Sequence, residues 1–146
     1  MLLTSRRYSV ADPAEAIELC FEKGWTDGLP VVPPTEERVR AMLDAARLRP
    51  GDQVAYIAHR AVSVAAEKVA INAVMAGCRP EYMPVVAAAV EGIGEPAWSY
   101  HGPGTSTAGA AVLIVVNGPI ARELDINAGD NLFGPGWRAN ATIGRA

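Results

Sequence analysis

The chain has 146 residues, enough for one core and too few for two, and 50% hydrophobic against 20% charged residues is a globular balance that excludes disorder. Thirteen Lys and Arg against 16 Asp and Glu leave a formal charge of −3 with the cations scattered, so there is no basic footprint for a nucleic-acid backbone or an anionic membrane. The longest apolar run, Ala108 to Val116, is well short of the roughly 18–20 residues that span a bilayer, and polar and acidic residues from Tyr8 to Glu15 break any secretory leader after Arg6 and Arg7, so a cytoplasmic location is expected.

Asp12 as N-cap and Pro13 at the first helical position predict a helix with Ile17, Cys20 and Phe21 on one stripe, closed by Gly24. The Gly- and Pro-rich stretch from Gly24 to Pro34 reads as a shaped loop, and its Trp25-Thr26-Asp27-Gly28 segment is a candidate pocket wall. A surface helix follows Thr35, with Val39, Met42, Leu43 and Ala46 inward until Pro50 and Gly51. Gln53 to Ala58 is a candidate strand. Val64 to Ala76 is apolar on nearly every face and predicts a buried helix, ended by Gly77, and Pro80 opens another running to about Glu91. Ala111 to Val116 reads as a central strand before the Asn117-Gly118-Pro119 turn. A last helix begins after Gly134-Pro135-Gly136 at Trp137 and runs to Ala146 uncapped, which suggests a larger polypeptide or a partner on which it docks. The whole predicts one α/β domain over 1–146, with four to five helices packed on a small mixed sheet.

Cys78 is the first candidate for chemistry. At a helix start beside Arg79, its thiolate would be favoured, as a nucleophile or redox thiol requires; a small thiol filling a crowded corner is the alternative. Cys20, on an apolar stripe, reads as core. Glu67 and Lys68 interrupt the most apolar helix and need partners, so Glu67 is either a general base near Cys78 or half of an ion pair. Asn72 stands four residues after Lys68, within reach of it or of a neighbouring strand. Gly136 with Arg138 and Asn140 puts free N–H groups and a guanidinium at a helix N-terminus, suited to an anion, or is an ordinary turn. Asp27 is a candidate acid or a turn-maker. His59 and His101 read as lone histidines, and with no CxxC pair and no zinc-spaced cluster neither a metal nor another cofactor is expected.

The blocks from Phe21 to Thr35 (Phe-Glu-Lys-Gly-Trp-Thr-Asp-Gly-Leu-Pro-Val-Val-Pro-Pro-Thr), from Glu67 to Tyr82, Asn117-Gly118-Pro119, and from Gly134 to Arg145 resemble, in order, the C-terminal region of UGSC-type (seleno)proteins. The resemblance implies thiol or selenol redox chemistry, carried by a separate region with a selenocysteine- or cysteine-Gly-Ser-Cys motif that this chain lacks. It implies that Glu67, Lys68, Asn72, Cys78, Arg79, Glu81, Asn117, Arg138 and Asn140 belong to a site. The expectation is therefore an enzyme subunit for a small anionic molecule, with Cys78 as thiolate and a UGSC- or CGSC-bearing partner. The competing expectations are a cofactor-free lyase or hydrolase that moves protons with Glu67, Asp27 or His101, and a non-catalytic assembly subunit. With 14 glycines, 11 prolines and 26 alanines the chain has few large side chains to bury, which favours a homo- or hetero-oligomer.

Overall fold

Local signals in the sequence place most of the helices in the computed structural model, which describes residues 2–146. Asp12 caps α1 (Pro13–Glu22), its carboxylate accepting from the N–H groups of Ala14 and Glu15 at 2.8 and 2.9 Å. Thr35 caps α2 (Glu36–Ala45), which buries Val39, Met42 and Leu43 on the predicted stripe. Strands β1 (Gln53–Ile57) and β2 (Val62–Ala65) pair antiparallel, with Tyr56 opposite Ser63 and a register irregularity between Gln53 and Ala55. The buried helix α3 (Ala66–Ala76) starts two residues later than its apolar pattern suggests, because Val64 and Ala65 are taken by β2. Its first N–H groups are satisfied by main-chain acceptors, Ala66 donating to the Asp52 carbonyl and Glu67 to that of Pro50.

Gly77 ends α3 in the left-handed conformation, φ 90°, and the Cys78 N–H closes the helix on the Ala73 carbonyl at 2.9 Å. A 3-10 turn over Pro80–Tyr82 leads directly into α4 (Met83–Gly94). Two five-residue helices follow, α5 (His101–Thr105) and α6 (Pro119–Glu123), and α7 (Arg138–Arg145) completes the described residues.

The core lies where α2, α3 and α4 meet over the β1–β2 hairpin, with Leu43, Val39, Val74 and Met83 almost fully buried, and α7 adds Ala139 and Ile143. Cys20, Val31 and Met75 form a smaller cluster between α1 and α3, where Cys20 was expected. Gly94 lets α4 sit on β1, since a Cβ there would lie 2.8 Å from that of Ala55.

The architecture is of the α/β class, with five helices of eight or more residues among the described residues, but its sheet is an antiparallel pair and not a mixed one. Ala111–Val116, expected as a central strand, is in no sheet: strand propensity sets the preference for extended backbone, while a ladder also needs a partner, and none lies beside it among the described residues. Among those residues no helix is long and apolar enough to cross a membrane.

Candidate functional site

Glu67 organises a sizeable concavity. It stands in the first turn of α3 and is 2% exposed, yet its carboxylate is fully used. Oε1 accepts from the N–H of Ser5 at 2.8 Å and of Thr4 at 3.1 Å, and Oε2 from the N–H and Oγ1 of Thr4 at 2.9 and 3.0 Å. Burial works to raise its pKa, but the donors of Ser5 and Thr4 outweigh it and bring the carboxyl down to about 2. A carboxylate so held is a poor general base, and it lies at the opposite end of α3 from Cys78, on the order of 15 Å away at 1.5 Å of rise per residue. The expected role of Glu67 as base beside Cys78 is therefore corrected: it is the anchor of the N-terminal arm.

That arm is tied down at three further points. Lys68 Nζ donates to Ser5 Oγ at 3.0 Å, Arg7 pairs with Glu36 at 2.9 Å, and the Tyr8 ring meets Trp25 edge-on with centroids 5.4 Å apart. Between the arm, α1 and α3 lies a cavity of about 590 Å³. Leu3, Val10, Leu19, Trp25, Ile71 and Met75 supply apolar wall, and Arg6, Arg7, Lys68 and Asn72 supply polar groups, against the carboxylates of Glu36 and Glu67. Asn72, whose Nδ2 donates to the Lys68 carbonyl at 2.8 Å, also lines an adjoining hollow of about 210 Å³ with Trp25, Asp27 and Arg145. The loop bearing Trp25 and Asp27 thus lines a pocket, as its composition suggested.

Asp27 is no free acid. Its two oxygens accept from Arg145 Nε and Nη2, both at 2.7 Å, and that guanidinium holds its carboxyl well below the usual carboxylate range. The pair fastens the end of α7 to the Gly-rich loop, and Arg145 also donates to the Pro30 carbonyl at 3.1 Å.

The second group of expected residues sits at the other end of α3. Cys78 lies between two caps, Gly77 ending α3 and Arg79 opening the 3-10 turn that leads into α4; it is 7% exposed, and its thiol donates to the Thr142 carbonyl at 3.3 Å. Burial pushes the thiol's pKa up, more strongly than its hydrogen bond with Thr142 and the nearby charge of Arg138 pull it down. The expected thiolate is replaced by a neutral, packed thiol. Arg138 reaches Gly77, donating to its carbonyl through Nε at 3.1 Å and Nη2 at 2.8 Å, so the guanidinium placed by expectation on an anion caps α3 instead. Asn140 accepts from the Asn127 N–H at 2.8 Å and donates to the carbonyls of Asn127 and Leu132, which makes it the staple of that loop.

Gly136 has φ 122°, a turn conformation, and Arg79, Glu81 and Asn117 are exposed away from the cavity lining. His101, expected alone, lies with its ring centroid 5.0 Å from that of His59 on the exposed side of the hairpin. Among the described residues no three His, Cys, Asp or Glu side chains converge as a metal site would need.

Of the twelve expected site residues, the structure brings Glu67, Lys68 and Asn72 to the cavity and Asp27 to its annex. It adds Arg6, Arg7 and Tyr8, which sequence reasoning passed over because an arm without periodic pattern carries no signal of where it lies. No family model, curated protein or solved structure matches the chain.

Proposed function

We propose that the chain is the substrate-holding subunit of a cytoplasmic small-molecule enzyme, and that the cavity between the arm, α1 and α3 takes a molecule with an apolar body and one anionic group. The observation that carries this reading is the lining: apolar walls in a cavity of about 590 Å³, within the range of small-molecule sites, with three cations against two carboxylates. Lys68, whose Nζ donates to the neutral Ser5 hydroxyl and has no carboxylate partner among the described residues, is the cation for the anionic head, and Asn72 is the neighbouring polar group. The apolar tail runs along Ile71 and Met75 towards Trp25.

The motif blocks shared with UGSC-type proteins support a thiol or selenol redox reaction, whose reacting group would come from a partner bearing the UGSC or CGSC motif. The packed state of Cys78 supports assigning that group elsewhere. Two free cysteines fit a reducing compartment.

Titration calorimetry with octanoate on the full chain tests the reading. Binding at one site per chain is expected, weakened at least tenfold in Lys68→Ala and weakened also in Ile71→Trp, whose larger side chain would narrow the cavity along the path of the apolar tail. Absence of binding, or equal affinity in Lys68→Ala, overturns it.

A further inference from the structure

The N-terminal arm, residues 3–10, is neither helix nor strand, and among the described residues no hydrogen bond between backbone groups ties it to the rest of the protein. Its ties all run through side chains. The Glu67 carboxylate gathers the N–H groups of Thr4 and Ser5 with the Thr4 hydroxyl, Lys68 holds the Ser5 hydroxyl, and Leu3 packs on the main core. Beyond Ser5 the ties are weaker: Arg7 meets Glu36 across side chains 68% and 42% exposed, and the Tyr8 and Trp25 rings that touch edge-on are 38% and 47% exposed.

Where the arm meets α1 it is firm. Asp12 caps that helix while the Ala11 N–H donates back to the Glu15 carboxylate, so the chain leaves from a fixed point. Leu3, Ser5, Arg7, Tyr8 and Val10 line the cavity of about 590 Å³ from the arm's side, and Cys20 of α1 lines it from the other. Lifting the arm breaks no helix or strand, removes only Leu3 from the main core, and opens the Glu67 carboxylate to water, which replaces the bonds it gives up. A ligand lying along Ile71 and Met75 is enclosed between α3 and the arm. The arm is the wall that can give way, because α1, α2 and α3 are held by the core clusters.

We propose that residues 3–10 are a strap that pivots at the start of α1 and opens the cavity while the core stays folded; for what then enters, the proposal rests on the ligand reading above. Glu67 is its clasp. Closed, the strap completes the wall opposite α3, and open, it uncovers the apolar lining and the Cys20 thiol.

Iodoacetamide labelling of the full chain without ligand, read at each cysteine by peptide mass spectrometry, tests the strap. Cys20 is 5% exposed and lines the cavity, so it reacts when the strap lifts, whereas Cys78 sits in the main core and reacts when the core opens. Between 0 and about 2 M urea the Cys20 rate is expected to change by less than about twofold, since lifting an arm exposes little surface, while the Cys78 rate rises at least about tenfold. Glu67→Gln should raise the Cys20 rate in water at least about tenfold, with its urea dependence still flat. Equal urea dependence at the two thiols, or a Cys20 rate unmoved by Glu67→Gln, overturns the proposal. Should Glu67→Gln fail to fold, Tyr8→Ala takes its place: loss of the ring contact should raise the Cys20 rate about threefold, and no rise means that the arm is a fixed wall. A chain that labels as expected but does not bind octanoate overturns the ligand reading and keeps the strap; one that binds octanoate while its two thiols respond alike does the reverse.

Discussion

Replacing Glu67 with Gln tests whether this buried carboxylate is an anchor. Folding lowers its pKa from 4.5 to about 2, and at about 1.4 kcal/mol for each tenfold change in proton affinity that amounts to about 3 kcal/mol. Thr4 is exposed, so solvent screening trims the figure to about 2–3 kcal/mol. The amide of Gln would also present a donor to the N–H groups of Thr4 and Ser5, which removes charge-assisted bonds and leaves a donor facing a donor. A loss of about 2–4 kcal/mol at pH 7 is therefore expected in urea unfolding followed by tryptophan fluorescence, and trypsin should cut faster after Arg6 and Arg7 as the arm loosens. The sign with pH follows from the lowered pKa. The stabilisation is present in full above about pH 4.5 and is lost as pH falls towards 2, so the gap between the protein and Glu67→Gln should narrow across that window. A variant within about 0.5 kcal/mol of the unaltered protein at pH 7, or a gap independent of pH between 5 and 2.5, would refute the reasoning.

Two further outcomes follow from packing. Gly94→Ala puts a methyl 2.8 Å from the Ala55 Cβ and 3.4 Å from the Tyr56 N, and should destabilise by about 1–3 kcal/mol in chemical denaturation; Gly92→Ala, with nothing within 4 Å, should be neutral or stabilising, and equal effects would sink the packing argument. Cys78 and Cys20 should both react slowly with a disulfide reagent in the folded protein and quickly in urea, while fast labelling of native Cys78 near pH 6 would show that burial does not govern its thiol.

Much of the fold was legible in the sequence by itself because its causes are local. Asp12 and Thr35 cap helices through donors two or three residues away, Gly77 stops α3 because its conformation suits a residue without a Cβ, and the stripe Val39, Met42, Leu43 is set by helical period. The β-branched character of Ala111–Val116 was equally legible, but pairing is a property of two segments, and one segment cannot supply it.

The candidate site was less legible, because what each polar side chain does depends on its partner. That Glu67 needed a partner followed from its place in an apolar helix; that Thr4 and Ser5 are the partners, 63 and 62 residues away, is decided by where the arm lies. Arg138 reaches back 61 residues to Gly77 and Arg145 reaches back 118 to Asp27, and each contact turns a candidate ligand or acid into a fastening. Sequence alone determined which residues carry charge into apolar surroundings. Only the tertiary structure decided which of those charges are already satisfied and which, like Lys68 at the cavity, face a space that a ligand can occupy, because desolvation and hydrogen bonding act through distances in space and not along the chain.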